Sequence, residues 1–271
     1  MAGEVRRHQI ANRVAVQLNY LNAGPRHGEG VCRTCFGATT SPWYQHCYQC
    51  EKIQRRAHGL LADLVVPITY RNGHEGQHSR DLRMYKKNPA SEAARKNLAV
   101  LFRDFCVRHI RCVKKTAGVA SFTHVAFVPS TKNPGQAHPL QTLLAPTVRS
   151  LRRIDLGVNR DVSPGAREFH QEWFLLDEIP DPRPQTAVLL VDDTWVSGAR
   201  AQSAAHRLKQ AGAHKVVTVV LARQLEPSFP PAQPLVNRIT RDPFDPTTCA
   251  VHEEDAAGGP SVAVADRPGR S

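Results

Sequence analysis

The apolar positions of the chain fall into alternating short runs and wider stripes. ADLVVPITY, residues 62–70, is a strand-like run. In SEAARKNLAVLFRDFCVRHI, Ser91 suits a helix N-cap, and Ala94, Leu98, Leu101, Phe102 and Phe105 make a helical stripe. SRDLRMYKK before it also reads as helix. FTHVAFVPS predicts a strand and HPLQTLLAP a short helix. TAVLLV predicts a strand, GARAQSAAHRLKQAG a helix and HKVVTVVLAR another strand. Ala201, Ala204, Ala205, Leu208 and Ala211 line one helical face, and Gly212 supplies the stop. Strands separated by helices predict βαβ units, hence an α/β protein with a mostly parallel sheet flanked by helices.

Four segments follow from the pattern. Residues 1–30 hold an N-terminal amphipathic helix, with Ile10, Val14, Leu18 and Leu21 at helical spacing. Residues 31–58 hold a cysteine cluster forming a small zinc-binding domain, 59–226 the α/β core, and 227–271 a Pro/Ala/Gly-rich tail. The tail ends in DAAGGPSVAVADRPGRS, which reads as disordered. Residues 156–186 are mixed and Pro-rich at their end, and the chain shows no internal repeat.

Composition narrows the function only partly. The 271 residues carry a formal net charge of +12. That balance fits an anionic partner such as nucleic acid, polyphosphate or a sugar phosphate, and it also fits a merely solvated basic surface. No stretch approaches the roughly 20 apolar residues of a membrane span, so no membrane partner is expected. MAGEVRRHQIANRVAV lacks the apolar segment of a secretory signal, so a cytoplasmic location is the expectation.

CRTCFGATTSPWYQHCYQC has the spacing C-x2-C-x11-C-x2-C. Each C-x2-C aims two thiolates at one point, and two such knuckles complete a tetrahedral set. Cys32, Cys35, Cys47 and Cys50 therefore predict a structural Zn2+ site with no open position for catalysis. Cys106 and Cys112 fall in a helical pattern and read as packing residues. Cys249 and His252 form a C-x2-H that reads as an incidental pair, with a second metal site as the alternative. His74-Glu75-Gly76-Gln77-His78 matches H-E-x-x-H, but Gly73 and Gly76 flank and interrupt it. A polar loop near an active site is expected there rather than a zinc protease helix.

The stretch most informative for chemistry is VLLVDDTWVSGAR, residues 188–200. A buried parallel strand delivers Asp192 and Asp193 to the carboxyl edge of the sheet, where open α/β sheets bind ligands. The loop from Thr194 to Arg200 opens a helix, whose N-terminus favours an anion. Carboxylates for sugar hydroxyls beside a nest for phosphate suit a sugar 5-phosphate.

This stretch resembles the 5-phosphoribosyl 1-pyrophosphate (PRPP) signature of type I phosphoribosyltransferases. AFVPSTKNPGQAHPLQTLL resembles that family's pyrophosphate loop, and a four-cysteine finger ahead of the core resembles its ComF-like, amidophosphoribosyltransferase-like members. RDLRMYKK resembles the helix before their core, and VVTVVLAR their following strand. The resemblance spans about residues 30–226. It implies that Asp192 and Asp193 hold the ribose hydroxyls, and that Thr194, Trp195, Val196, Ser197, Gly198, Ala199 and Arg200 wrap the 5-phosphate. It implies Ser130, Thr131 and Lys132 as pyrophosphate contacts. Val196 departs from the family's first loop Thr, Arg200 stands where a Thr is common, and Trp195 is bulky for the loop.

The implied reaction transfers the pentosyl group of PRPP to a nitrogen acceptor with release of pyrophosphate, Mg2+ bridging substrate oxygens. Ammonia or a nucleobase fits as nucleophile. Glu168, Glu172 and Asp177 lie in the stretch expected to form a hood. The alternative is a non-catalytic protein of this fold that binds single-stranded nucleic acid, with Trp43 and Tyr44 of the finger stacking on bases. Against that, both aromatics suit a small finger core.

Overall fold

The computed structural model describes residues 12, 14–131, 138–165 and 167–251. Its centre is a five-stranded sheet of β1 (Leu64–Asn72), β2 (His124–Phe127), β3 (Arg152–Ile154), β6 (Ala187–Trp195) and β7 (Lys215–Leu225). The spatial order is β1-β7-β6-β2-β3, and every pairing is parallel. A two-stranded antiparallel ribbon of β4 (Gly157–Val158) and β5 (Phe174–Leu175) stands apart. The helices are α1 (Tyr48–Arg56), α2 (Gly76–Met84), α3 (Glu92–Ala117), α4 (Pro139–Leu144), α5 (Ala199–Gln210) and α6 (Gln233–Arg241).

The central strands are apolar runs because both faces are covered. Leu189, Val191, Val217, Val219 and Leu221 join one core with Leu82, Leu98 and Phe102 of α2 and α3 and Leu140 of α4. Val188, Leu190, Val216 and Val220 join the other, with Ala201, Ala204, Ala205 and Leu208 of α5. Pro67 in β1 removes one N–H, and it is tolerated because β1 is an edge strand paired only with β7. The alanine stripe and the Ser91 cap form as the sequence predicts: Ser91 Oγ accepts from the Ala94 N–H at 3.3 Å.

Three features differ from the sequence reading. The strand holding the two aspartates does not end at Val191 but pairs with β7 through Trp195. The segment after Pro227 carries α6, whose Leu235, Val236 and Ile239 are buried in the first core. The proline-rich composition there hid an amphipathic helix that starts with Pro in its first turn, where the missing N–H costs nothing. The N-terminal stretch turns early. Residues 16–20 are turns, while Val14 and Leu21 are buried; Ile10 lies outside the described residues. Among the described residues no helix is long and apolar enough to cross a membrane.

Candidate functional site

The sheet order fixes where a crevice must open. From β2 the chain passes through α4 to β3 on one side. From β6 it passes through α5 to β7 on the other. The two connections diverge between adjacent strands β2 and β6, and ligands of open α/β sheets bind outside the carboxyl ends of the strands at such a reversal. A cleft of about 550 Å³ lies there. Val128, Pro129 and Ser130 line it from the end of β2, and Asp192, Asp193 and Arg200 from β6 and α5. Arg83, Lys86 and Lys87 close it from the end of α2, and His138 from the start of α4.

The two aspartates are not equivalent. Asp193 is buried, and its Oδ2 accepts from Tyr85 Oη at 2.7 Å and from Lys86 Nζ at 2.6 Å. Burial raises its proton affinity, but Lys86 and Tyr85 outweigh that and hold it below the usual carboxylate range. Asp192 Oδ1 accepts the Asp193 N–H at 2.8 Å. Burial and the neighbouring Asp193 charge push Asp192 up to about 7, against the pull of Lys86 and Arg200.

The turn after β6 is short. Gly198 begins α5 in the left-handed region at φ +82°, and a Cβ there would meet the Trp195 ring at 2.2 Å. Trp195 is almost fully buried, so its indole underlies the turn rather than facing the cleft. Ser197 Oγ accepts the Ala199 N–H at 3.3 Å. Val196 is exposed and Thr194 half-buried. Of the expected site residues, Asp192, Asp193, Arg200 and Ser130 therefore line one cleft. Thr131 is described but is not among its lining residues, and Lys132 lies outside the described residues. Tyr85, Lys86 and His138 went unnoticed in the sequence. The signal for Tyr85 and Lys86 was the basic RDLRMYKK, read there for its helix rather than for its charge, and His138 stands at the head of HPLQTLLAP, also read only as a helix.

The cysteine cluster is assembled as expected. Ligand atoms of Cys32, Cys35, Cys47 and Cys50 lie within 4.8 Å of one another, and Cys35 Sγ and Cys47 Sγ are 3.7 Å apart. A tetrahedron with Zn–S bonds of about 2.3 Å has edges of about 3.8 Å, so the set fits Zn2+. Trp43 and Tyr44 do not form a finger core: they are 86% and 59% exposed, and Tyr48 nearby is 65% exposed.

Arg223 ties this centre to the cleft. Its Nε donates to the Cys35 carbonyl at 3.0 Å, and its Nη1 donates to the Trp195 and Val196 carbonyls at 3.1 Å each. Gly37 lets it pass, since a Cβ there would lie 2.0 Å from the guanidinium. Burial disfavours the charge, but the thiolates override it and hold Arg223 protonated. Tyr70 Oη adds a second tie, donating to the Phe36 carbonyl at 2.6 Å.

H-E-x-x-H straddles the start of α2. Thr69 Oγ1 gives its one proton to the Leu221 carbonyl at 2.9 Å, so His78 Nε2–H donates to Thr69 at 2.8 Å. Burial, then the Arg71 charge, pushes His78 down to about 3 and keeps it neutral. His74 Nδ1 accepts from Arg71 Nη2 at 2.9 Å. The two histidines have separate structural partners and stand apart from the cleft. No protein-family model matches the chain, and no curated protein matches it.

Proposed function

We propose that the chain is a type I phosphoribosyltransferase-like protein of the ComF-like kind, binding PRPP in the cleft between β2 and β6. The observation that carries this reading is the composition of that cleft. Paired aspartates stand at a strand reversal facing Arg83, Lys86, Lys87 and Arg200. Hydroxyl acceptors beside four cations suit a sugar bearing phosphates better than a neutral metabolite.

In this reading Asp192 takes the ribose hydroxyls, and Asp193 holds Lys86 in place. Arg200 and the α5 N-terminus face the 5-phosphate, while Ser130 and the α2 cations face the pyrophosphate. Mg2+ enters with PRPP, held mostly by substrate oxygens. Departure of pyrophosphate builds negative charge on the leaving group, and the clustered cations stabilise it. A nitrogen nucleophile, ammonia or a nucleobase, bonds to C1 of the ribose as the C1–O bond to pyrophosphate breaks, and its surplus proton passes to solvent.

The test is calorimetric titration of PRPP with Mg2+ into zinc-replete wild type, Asp192→Asn and Arg200→Ala. Binding by the wild type, weakened tenfold or more in either variant, is expected; a pyrophosphate-release screen over ammonia and nucleobases then identifies the acceptor. No heat of binding from folded wild type would overturn the reading.

The exposed Trp43, Tyr44 and Tyr48 support a second reading, in which the finger stacks on single-stranded nucleic acid. Fluorescence anisotropy with labelled single-stranded DNA separates the two. Salt-sensitive binding lost in Trp43→Ala but kept in Asp192→Asn belongs to the finger.

A further inference from the structure

Soft metal ligands converge at a second place. His109 and Cys112 are three residues apart on α3 and share a helix face. Cys249 meets them from the C-terminal segment, and one ligand atom of each lies within 4.8 Å of the others. His109 and Cys249 are buried and Cys112 is half-buried. His109 Nε2 donates to the Pro246 carbonyl at 2.9 Å. That bond assigns any ligating role to Nδ1, and it is the outer-shell contact that commonly orients metal-bound imidazoles. Phe105 packs on the same ring, with centroids 5.6 Å apart.

We propose that His109, Cys112 and Cys249 form a second zinc-binding centre, separate from the four-cysteine finger, which fastens the C-terminal segment to α3. Two thiolates and an imidazole are the donor set that selects Zn2+ over Mg2+ or Ca2+. On binding, two thiol protons pass to solvent, and two Zn–S bonds and one Zn–N bond form. The two thiolate charges neutralise the ion, which suits a buried position. Three protein donors leave one tetrahedral position.

The centre explains why a segment with little regular structure holds its place. Residues 243–251 contain no strand or helix longer than an isolated bridge, yet Phe244, Cys249 and Ala250 are buried against the first core. A metal clasp supplies cross-linking that so short a stretch of apolar surface does not.

The experiment is a zinc count by plasma mass spectrometry on the full chain, purified with reductant from zinc-supplemented culture. Two equivalents per chain are expected for the wild type and for Cys106→Ser, a helix cysteine outside the cluster. One equivalent is expected for Cys112→Ser/Cys249→Ser. Co2+ reconstitution should give that lost equivalent the absorption of a mixed sulfur–nitrogen tetrahedral site, unlike the all-sulfur spectrum that remains. A single equivalent in folded wild type overturns the proposal, as does a double variant that keeps two. If the double variant fails to fold, the wild-type count decides alone.

Discussion

Asp192 and Asp193 show how neighbours on one strand acquire opposite properties. Asp193 faces Tyr85 and Lys86, which favour its charge; Asp192 has its neighbour's charge and a desolvated position, which oppose it. The folded chain thus binds a proton at Asp192 up to about 7, whereas an unhindered aspartate gives it up near 3.8. Between those values the folded state holds more protons than the unfolded one, so stability contributed by this group falls as pH rises. Asp192→Asn removes the titration. Urea midpoints measured from pH 4 to pH 7 should fall for the wild type relative to the variant. An unchanged slope would place the proton elsewhere.

At the scale of elements, the long helix α3 is set by one hydroxyl at its start and one glycine at its end. Ser91 caps the first turn, and Gly118 closes the last at φ +67°. Ser91→Ala should cost about 1 kcal/mol of unfolding free energy, read by denaturant titration. Elements of this kind were legible in the sequence because their signals are local: a cap, a stripe, a stop. The parallel sheet was legible too, since unbroken apolar runs mark strands buried on both faces. What was not legible depended on distant partners. β6 continues past its aspartates because β7 offers Ala222 and Arg223 to pair with Thr194 and Trp195. Helix α6 was hidden by prolines at positions where a helix tolerates them. The four cysteines could be matched by spacing alone, whereas His109 and Cys112 meet Cys249 only through the tertiary fold. Lys86, just past the end of α2, likewise becomes a partner of Asp193 only in the tertiary fold.

At the scale of the molecule, finger and cleft form one mechanical unit through Arg223. Its charge sits between thiolates and the carbonyls that shape the turn before α5. Arg223→Met leaves the Cys35, Trp195 and Val196 carbonyls short of a donor, the first two of these bonds being buried, and removes the cation beside the four cysteines. A loss of roughly 3 kcal/mol is expected, together with faster zinc release to a chromogenic chelator. A variant as stable as the wild type, with unaltered release, would show that the finger stands without this tie.

The pairing of β1 with β7 also sets an order of events during synthesis. Leu64 lies against Val217, and β1 has no other neighbour in the sheet. A chain emerging from its amino end completes the four cysteines early, but β1 then waits for nearly all of the core to be made. Until β7 arrives, a buried-type apolar strand has no partner and the finger lacks its counter-charge, Arg223. Long-range closure of this kind slows folding and prolongs exposure to aggregation. The last strand to be made is thus the one that locks the first to the rest of the sheet.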